Sequence, residues 1–338
     1  MKTMHSAMIV ALATASVALA TDFTWTNGDG DRAWTNPLNW DYDGQSPAYP
    51  SNQYDTATIP CINPGCNGDD QEDYPIFDSS EITIGSLTIN ASTNFHELTF
   101  AANQTTPRKL IIASRDGLTL NNGHADILLQ ENSRLQLDGG GVIDLRGAIV
   151  FDNAGSTPPR FILGDGTTLT VRHAKQNDDV TFQGVEKGLI TGEVAAQNDR
   201  AETLVLASGA YIRGSFDIDV ILLNNGEVHT APDDGDPGVI NLVCHPKAGS
   251  GHWYVDGGVG TGQGQESTLL VATGLNGTGR IAIDRFGWFI VERPAAFVHD
   301  GVSGDTGNMS IREGGTLRVK ADIAFDVHLW TTDCLFPV

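Results

Sequence analysis

From about Ile82 onward, the chain consists of short apolar alternations separated by Gly, Asn and Asp. Segments such as GSLTI, KLII, RLQL and TLTV are typical of β-strands of three to five residues, and each is followed by turn residues. No convincing run of ten or more residues has the apolar spacing of three and four that indicates a helix. The sequence therefore predicts a nearly all-β protein.

These strands recur at a steady interval. Strand starts near Leu110, Leu118 and Ile127 advance by roughly eight residues, and related strands return about 25 residues later. The expected strand neighbours are Leu110 with Leu135, Leu118 with Ile143, Ile127 with Phe151, Leu135 with Phe161 and Ile143 with Leu169. Three short strands per repeat of about 25 residues are typical of a parallel β-helix, in which each coil stacks on the one before.

Antiparallel β-sandwich domains are the alternative, because they also give short strands at regular, close spacing. Two-residue hairpin turns, however, are scarce, and the best candidates are the NNG sequences at 121–123 and 224–226. The 39 glycines in 338 residues fit a solenoid that bends several times per coil. The spacing therefore favours the β-helix.

The first twenty residues predict export. One lysine precedes an apolar segment that ends in small residues, the pattern of a secretory signal peptide over 1–20 that is cleaved after Ala20. This segment is too short and too weakly apolar for a membrane span. We therefore expect a secreted, extracellular or cell-surface protein that does not insert into the membrane.

The charge restricts the partners. The formal net charge is −22 at pH 7, with 42 acidic and 20 basic residues, and the acidic residues are spread along the chain. A field of that sign repels phosphate backbones and anionic lipid, so nucleic acid is not an expected partner. Divalent cations, basic partners and neutral glycans remain compatible with it.

Four cysteines remain after export, where oxidation is favoured. Cys61 and Cys66 flank an Asn-Pro-Gly turn in CINPGC, and this spacing brings their Cα atoms close enough for a disulfide. That pairing leaves Cys244 to join Cys334. A zinc site is the rival interpretation, but it lacks the CxxC or HxxxH spacing of such sites.

Three of the six tryptophans fall in WTNGDGDRAWTNPLNW, directly after the predicted cleavage site. The stretch resembles the opening of secreted β-helical proteins of the autotransporter-passenger and autotransporter-associated-repeat type, and it is distantly similar to the amnionless ectodomain. The matching positions run as W, a Gly/Asp-rich turn, W, NW, P and DxAxI, and they include Trp25, Trp34, Asn39, Trp40, Pro50 and Asp55.

The resemblance implies a right-handed parallel β-helix whose N-terminal end is covered by this motif. It implies an N-terminal cap over 21–80, which contains the Cys61/Cys66 loop, and a β-helix with its C-terminal cap over 81–338. Tryptophan buries a large area and keeps one N–H to satisfy, which suits a cap. A sugar-binding platform is the alternative role for these rings.

Two further patterns are weak matches to a metal site and to a catalytic site. Asn27, Asp29 and Asp31 offer oxygen ligands at alternate positions and are candidate calcium ligands, but Arg32 stands where a calcium loop has glycine. Enzymes that cut acidic polysaccharides carry paired carboxylates, a GHG turn and an RxK element. The nearest counterparts here are Asp178–Asp179, GHW at 251–253 and RVK at 318–320, and their separation of about 70 residues does not place them in one cleft.

The sequence therefore predicts a secreted, non-enzymatic β-helical protein that acts as a structural or adhesive element, such as a self-assembling subunit of a surface layer or filament. No cofactor is expected apart from the candidate calcium. The expected partners are other copies of the chain, other cell-surface components and glycans. A polysaccharide-binding or polysaccharide-cleaving β-helix protein is the alternative. Four N-x-S/T sequons begin at Asn90, Asn103, Asn276 and Asn308.

Overall fold

A computed structural model gives the fold of the chain. The residues that it describes are 20–44, 48–61, 73–90, 96–103, 105–121, 125–153, 155–172, 181–193, 202–230, 238–243, 247–255, 267–272, 275–277, 281–283, 287–292, 295–297, 309–311, 316–319, 323–325 and 330–331. Helix in this part of the chain is limited to one 3-10 turn, Pro37–Asn39. The prediction of a nearly all-β protein is confirmed.

The strands are short and follow one another closely. The first sixteen are β1 Asp22–Trp25, β2 Trp40–Tyr42, β3 Thr56–Ile59, β4 Ile76–Phe77, β5 Ile82–Ile84, β6 Ser86–Ile89, β7 His96–Phe100, β8 Arg108–Ile112, β9 Leu118–Leu120, β10 Asp126–Leu129, β11 Ser133–Leu137, β12 Gly141–Asp144, β13 Ile149–Phe151, β14 Arg160–Leu163, β15 Thr168–Arg172 and β16 Phe182–Gly192.

The remaining strands continue the same series. They are β17 Thr203–Leu206, β18 Tyr211–Asp219, β19 Ile221–Asn224, β20 Glu227–His229, β21 Val239–Leu242, β22 Lys247–Ala248, β23 His252–Val255, β24 Ser267–Val271, β25 Leu275–Gly277, β26 Ile281–Ile283, β27 Gly287–Val291, β28 Ala295–Phe297, β29 Met309–Ile311, β30 Thr316–Val319, β31 Ile323–Phe325 and β32 Trp330–Thr331.

Strands that are one repeat apart pair in parallel and build three stacks. Stack 1 contains β3, β6, β9, β12, β15, β17, β19, β22, β25, β28 and β31. Between its members β9 and β12 there is one isolated bridge, which joins Leu120 to Leu145, the residue directly after β12. In the described part of the chain, the only antiparallel pairing is between β1 and β2.

Stacks 2 and 3 are built in the same way. Stack 2 contains β4, β7, β10, β13, the start of β16, the start of β18, β20, β23, β26, β29 and β32. Stack 3 contains β5, β8, β11, β14, the end of β16, the end of β18, β21, β24, β27 and β30. The chain therefore visits the three stacks in a fixed order, which makes the fold solenoid-like.

Two glycines let the chain pass from stack 2 to stack 3 without leaving the strand. Gly184 of β16 pairs with Gly214 of β18, and Gly214 has a φ of +100°. A Cβ on Gly214 would lie 2.0 Å from the carbonyl oxygen of Gly184. The corner therefore needs glycine both for its backbone conformation and for the close approach of the two chains.

The core is a set of apolar columns that face the interior of the solenoid. In stack 3 one column runs through Leu110, Leu135, Phe161 and Ile190, all of them fully buried. Alternate residues of the same strands face outward, as the pleat of a strand requires. Because each rung places its apolar side chain on that of its neighbour, core formation and strand stacking depend on each other.

The register of this stacking can be compared with the expected neighbours. Leu110 pairs with Leu135 and Leu135 with Phe161, so these two predictions are confirmed. The bridge between Leu120 and Leu145 has the same offset as the expected pair of Leu118 with Ile143.

Two other expected pairs were wrong by two residues. Ile127 pairs with Ile149 instead of Phe151, and Ile143 pairs with Val171 instead of Leu169. A shift of two residues keeps the side chain on the same face of the strand, so the division into inward and outward positions is unaffected. The parallel pairing of all three stacks also differs from the antiparallel β-sandwich alternative.

Candidate functional sites on the cap and the lateral face

The tryptophans of the N-terminal motif form one packed cluster with their neighbours, the cap cluster. The ring centroids of Trp25 and Trp40 are 5.1 Å apart, and those of Trp34 and Trp40 are 4.7 Å apart, both in edge-to-face geometry. Trp34 also packs edge-to-face on Phe77, 5.6 Å away, in stack 2. The motif is thereby joined to the first rungs of the solenoid.

Each indole N–H in the cap cluster has a hydrogen-bond acceptor on the backbone. Trp25 Nε1 donates to the carbonyl oxygen of Asp73 at 2.8 Å, Trp34 Nε1 to that of Pro50 at 3.2 Å, and Trp40 Nε1 to that of Trp34 at 2.8 Å. Asp55 accepts hydrogen bonds from the backbone N–H groups of the preceding turn. The structure therefore brings the tryptophans, Pro50 and Asp55 into one arrangement.

The burial of these rings limits what they can contact. Trp25, Trp34 and Trp40 are between 0% and 4% exposed, so their faces are covered by protein. The exposed large apolar residues of this region are instead Leu38, at 61%, and Tyr54, at 50%. This burial favours the cap role over a sugar platform formed by the three indoles.

The candidate calcium residues lie in a turn in which side-chain amide groups donate hydrogen bonds to the carboxylates. Asn36 Nδ2 donates to Asp29 Oδ2 at 2.9 Å and to Asp31 Oδ2 at 2.7 Å. Asn36 Oδ1 accepts from the backbone N–H of Leu38, which fixes the orientation of its amide. Asn39 Nδ2 donates to the other oxygen of Asp31 at 2.6 Å.

These donors occupy the position that a cation would need between the carboxylates. Hydrogen bonds from Ala33 N–H and from the amides of Asn36 and Asn39 lower the pKa of Asp31, so its carboxylate is ionised and satisfied by the protein itself. Asn27 shares the turn with a φ of +52°. The residues present therefore do not fit a calcium ion in this arrangement. In the described residues, no group of three or more His, Cys, Asp or Glu side chains could hold a metal ion.

The cysteine predictions fall mostly outside the described residues. Cys61 takes part in a disulfide. Cys66, Cys244 and Cys334 lie outside the described ranges, so the pairing of Cys61 with Cys66 and that of Cys244 with Cys334 stay predictions.

The residues that resemble a polysaccharide-cleaving site are not brought together where the structure describes them. His252 and Trp253 are in β23 of stack 2, whereas Arg318 is in β30 of stack 3, two rungs further along. Asp178, Asp179 and Lys320 lie outside the described residues.

A lateral cleft of about 370 Å³ lies at the place where stack 1 is interrupted between β9 and β12. Asp116, Asp144 and Arg146 line it. Asp144 pairs with Arg172, with 3.1 Å between Oδ1 and Nε, and Asp116 accepts a hydrogen bond from the backbone N–H of Val142. Both carboxylates are therefore held by groups of the protein.

An outward-facing patch on stack 2 was missed by the sequence analysis. It is formed by two columns of three residues from β18, β20 and β23, and we call it the lateral patch. The parallel register places Tyr211, Glu227 and His252 in one column and Arg213, His229 and Tyr254 in the other.

The aromatic rings of the lateral patch contact one another across the strands. The ring centroid of His229 is 4.4 Å from that of Tyr211 and 4.1 Å from that of Tyr254. His229 Nε2 lies 3.3 Å from Glu227 Oε2, and His252 Nδ1 lies 3.1 Å from the hydroxyl oxygen of Tyr254. The patch thus combines aromatic surface, hydrogen-bonding groups and charge on one face.

Burial between the two tyrosines controls the charge of His229. Burial first, and then the charges of Arg213 and His252, lower the pKa of His229 to about 3. The imidazole is therefore neutral at pH 7, and its contact with Glu227 is a hydrogen bond donated by a neutral ring.

Unequal coil lengths explain why this patch was missed. The coil from Ile149 to its partner Phe182 is about twice as long as the coil from Ile212 to its partner Val228. A search for side chains separated by about 25 residues cannot align Arg213 with His229. The detectable signal is local, because YIR, EVH and HWY each place one apolar residue between two polar or aromatic residues.

Comparisons of the chain with protein-family models, with curated proteins and with solved structures find no match. No helix in the described part of the chain is long and apolar enough to cross a membrane.

Proposed function

We propose that this chain is a secreted, non-catalytic protein that forms a structural or adhesive element outside the cell, built as a right-handed parallel β-helix. The observation that carries the proposal is the series of three parallel stacks, which extends from β3 to β32. A fold of this kind presents long lateral faces, and each rung contacts only its neighbours. The N-terminal resemblance and the predicted signal peptide support the same proposal.

The N-terminal cap supports assembly rather than a catalytic role for the motif. Its tryptophans are buried against the first rungs, while Leu38 and Tyr54 are exposed on the same motif. A solenoid that meets another copy through a non-closing contact forms a fibre or layer. We therefore propose self-association or attachment to other surface components as the activity of the folded protein.

The proposal is tested on mature protein recovered from the natural source or from a secreting host. N-terminal sequencing should find a chain that begins at Thr21, because the predicted cleavage follows Ala20. Negative-stain images and sedimentation velocity should then show filaments, layers or higher oligomers at high concentration, or saturable binding to cell surfaces. Dispersed monomers with no surface binding would overturn the proposal.

Polysaccharide recognition is the second candidate function, and the lateral patch favours it. Tyrosine and histidine rings beside Arg213 and Glu227 offer the mixture of aromatic and polar groups that sugar-binding surfaces use. A glycan array with the wild type and Tyr254→Ala tests this candidate, with Tyr54→Ala as the control, because Tyr54 is exposed on the cap. A reducing-sugar assay separates binding from cleavage, since the structural proposal expects no turnover.

A further inference from the structure

Three basic side chains stand in one column on the outer face of stack 3, although the chain as a whole is strongly acidic. The parallel register pairs Lys109 with Arg134 and Arg134 with Arg160 on three neighbouring strands. Each of them precedes a fully buried residue, namely Leu110, Leu135 or Phe161, so the alternation of the strand directs the three basic side chains outward, where each residue is partly exposed. We call this column the basic ladder.

Neighbouring strands are about 4.8 Å apart, so the basic ladder places like charges directly beside one another. Like charges at opposed positions destabilise a sheet unless they are compensated. Burial, and then the charge of Arg160, lower the pKa of Arg134 despite the opposing effect of Glu81, which agrees with this crowding. The arrangement therefore does not add to the stability of the sheet.

The ladder is compensated only in part within the protein. Glu81 contacts Lys109, with 3.6 Å between Oε2 and Nζ, and its carboxylate is largely exposed, whereas the Lys109 side chain is 17% exposed. Burial raises the pKa of Asp138, and the charge of Lys109 opposes that shift, so the lysine interacts with two carboxylates. Within the described part of the chain, neither Arg134 nor Arg160 forms an ion pair or a side-chain hydrogen bond. The Nε atom of Arg134 is buried and has no hydrogen-bond partner there. Arg134 and Arg160 thus occupy paired positions on neighbouring strands of a protein whose net charge is −22.

We propose that the basic ladder is a binding site for a linear polysaccharide that carries carboxylate groups and lies across the strands of stack 3. A guanidinium group matches the geometry of a carboxylate and can bind it through two hydrogen bonds. At Arg134 the donors for such a contact are the two Nη groups, because Nε is buried. A polymer with spaced carboxylates supplies the compensating charges along the column. The inference rests on the proposed function as an adhesive element, because it names the kind of surface component to which the protein attaches.

The overall charge favours such a polymer over nucleic acid. Duplex DNA carries one charge per about 1.7 Å of its axis, and its binding requires many phosphate contacts. The ladder provides three cations, and the acidic remainder of the surface repels a dense polyanion. A glycan with fewer charges per unit length can compensate the three cations of the basic ladder, and the acidic surface around the ladder repels it less than it repels DNA.

The experiment measures binding of the full mature chain to polygalacturonate fragments by calorimetry at low and physiological salt, with neutral dextran, dextran sulfate and a DNA duplex as comparison ligands. The wild type should bind polygalacturonate most tightly, and the affinity should fall as salt is added. The Arg134→Gln/Arg160→Gln variant should bind at least tenfold more weakly. The Arg134→Lys/Arg160→Lys variant should give an intermediate affinity, because it keeps the charges but loses the fork.

The matched control is Arg146→Gln/Arg172→Gln, which removes two positive charges near stack 1, where Arg172 pairs with Asp144. It should keep the wild-type affinity within about twofold, while thermal melts establish that all variants are folded. Unchanged binding by the glutamine variant, an equal loss in the control, or tighter binding of dextran sulfate or DNA would overturn the inference. If the inference about the ladder is overturned in this way but the protein still assembles or adheres, the proposed function is unaffected. If the protein binds polygalacturonate through the ladder but is dispersed and non-adherent, only the proposed function is overturned.

Discussion

Trp34 shows how one side chain joins the N-terminal motif to the solenoid. It is fully buried, it packs on Trp40 and Phe77, and its N–H donates to the carbonyl oxygen of Pro50. Truncation of a buried aromatic residue typically costs about 3 to 5 kcal/mol. We therefore expect Trp34→Ala to lower the free energy of unfolding of the cap by about that amount, measured by urea unfolding or by hydrogen exchange.

Leu38 provides the control for this prediction. It lies four residues from Trp34 in the same motif but is 61% exposed, so Leu38→Ala should change the stability by less than about 0.5 kcal/mol. If Trp34→Ala were as mild as Leu38→Ala, the interpretation of the cluster as a packed cap would be wrong.

His229 gives the lateral patch a pH dependence. Its pKa is about 3 in the folded protein and about 6.5 in the unfolded chain, so between these values the unfolded chain binds the additional proton. Stability from this group is therefore complete above pH 6.5 and is lost as the pH falls towards 3. Between pH 8 and pH 5 the wild type should lose about 1 to 2 kcal/mol more than His229→Phe, which keeps the ring contacts without the titration.

Denaturant unfolding at a series of pH values measures this difference. The comparison of the two proteins removes the contributions of the other histidines and of the carboxylates, which titrate in both. Parallel pH profiles for wild type and His229→Phe would contradict a neutral, buried His229.

At the scale of the strands, Gly214 tests the corner between stacks 2 and 3. Gly214→Ala would place a Cβ 2.0 Å from the carbonyl oxygen of Gly184 on a backbone with a φ of +100°. We expect a loss of about 2 to 4 kcal/mol, because the clash with the backbone adds to the conformational strain. Thermal unfolding followed by circular dichroism measures the effect.

Gly30 separates the two causes. Its φ is +72°, but a Cβ there would have no atom within 4 Å, so Gly30→Ala reports conformational strain alone. That variant should cost about 1 kcal/mol. Equal losses for both variants would mean that the close approach of β16 and β18 contributes nothing.

Elements and their parallel stacking could be predicted because the alternation within each strand is a local signal. Leu110, Leu135 and Phe161 were aligned correctly because the coils between them have the length of the expected repeat. The alignment of Ile127 failed because the coil from Ile127 to Ile149 is shorter than the coil from Leu110 to Leu135. The loops set that length, and the periodicity of the strands carries no information about it.

The candidate sites were less predictable for the same reason. The tryptophan cluster was found because its residues are close in sequence, whereas the lateral patch needs the register of three strands that are separated by two unequal coils. The turn of Asp29 and Asp31 was interpreted as a candidate cation loop because Asn36, which supplies the bridging amide, does not belong to the ligand pattern. Tertiary hydrogen bonds of this kind do not produce a periodic pattern in the amino-acid sequence.

At the scale of the whole molecule, the net charge of −22 should control association between copies. The Debye length falls from about 30 Å at 0.01 M salt to about 8 Å at 0.15 M, so repulsion between like-charged solenoids weakens. We expect the mean assembly size, measured by light scattering and sedimentation velocity, to increase over this range. A size that is constant or decreases with salt would show that repulsion between copies does not limit assembly.

The unequal coil lengths have a consequence for how such a chain can change over evolution and in the laboratory. The coils that separate partners in stack 2 differ in length by a factor of about two, yet Ile149, Phe182, Ile212 and Val228 all keep their inward positions. Insertions and deletions between strands therefore leave the apolar columns of the core intact, so related chains can diverge in length without losing the architecture. A foreign epitope or an affinity tag inserted between two strands would accordingly be displayed without a change in the stacking of the strands.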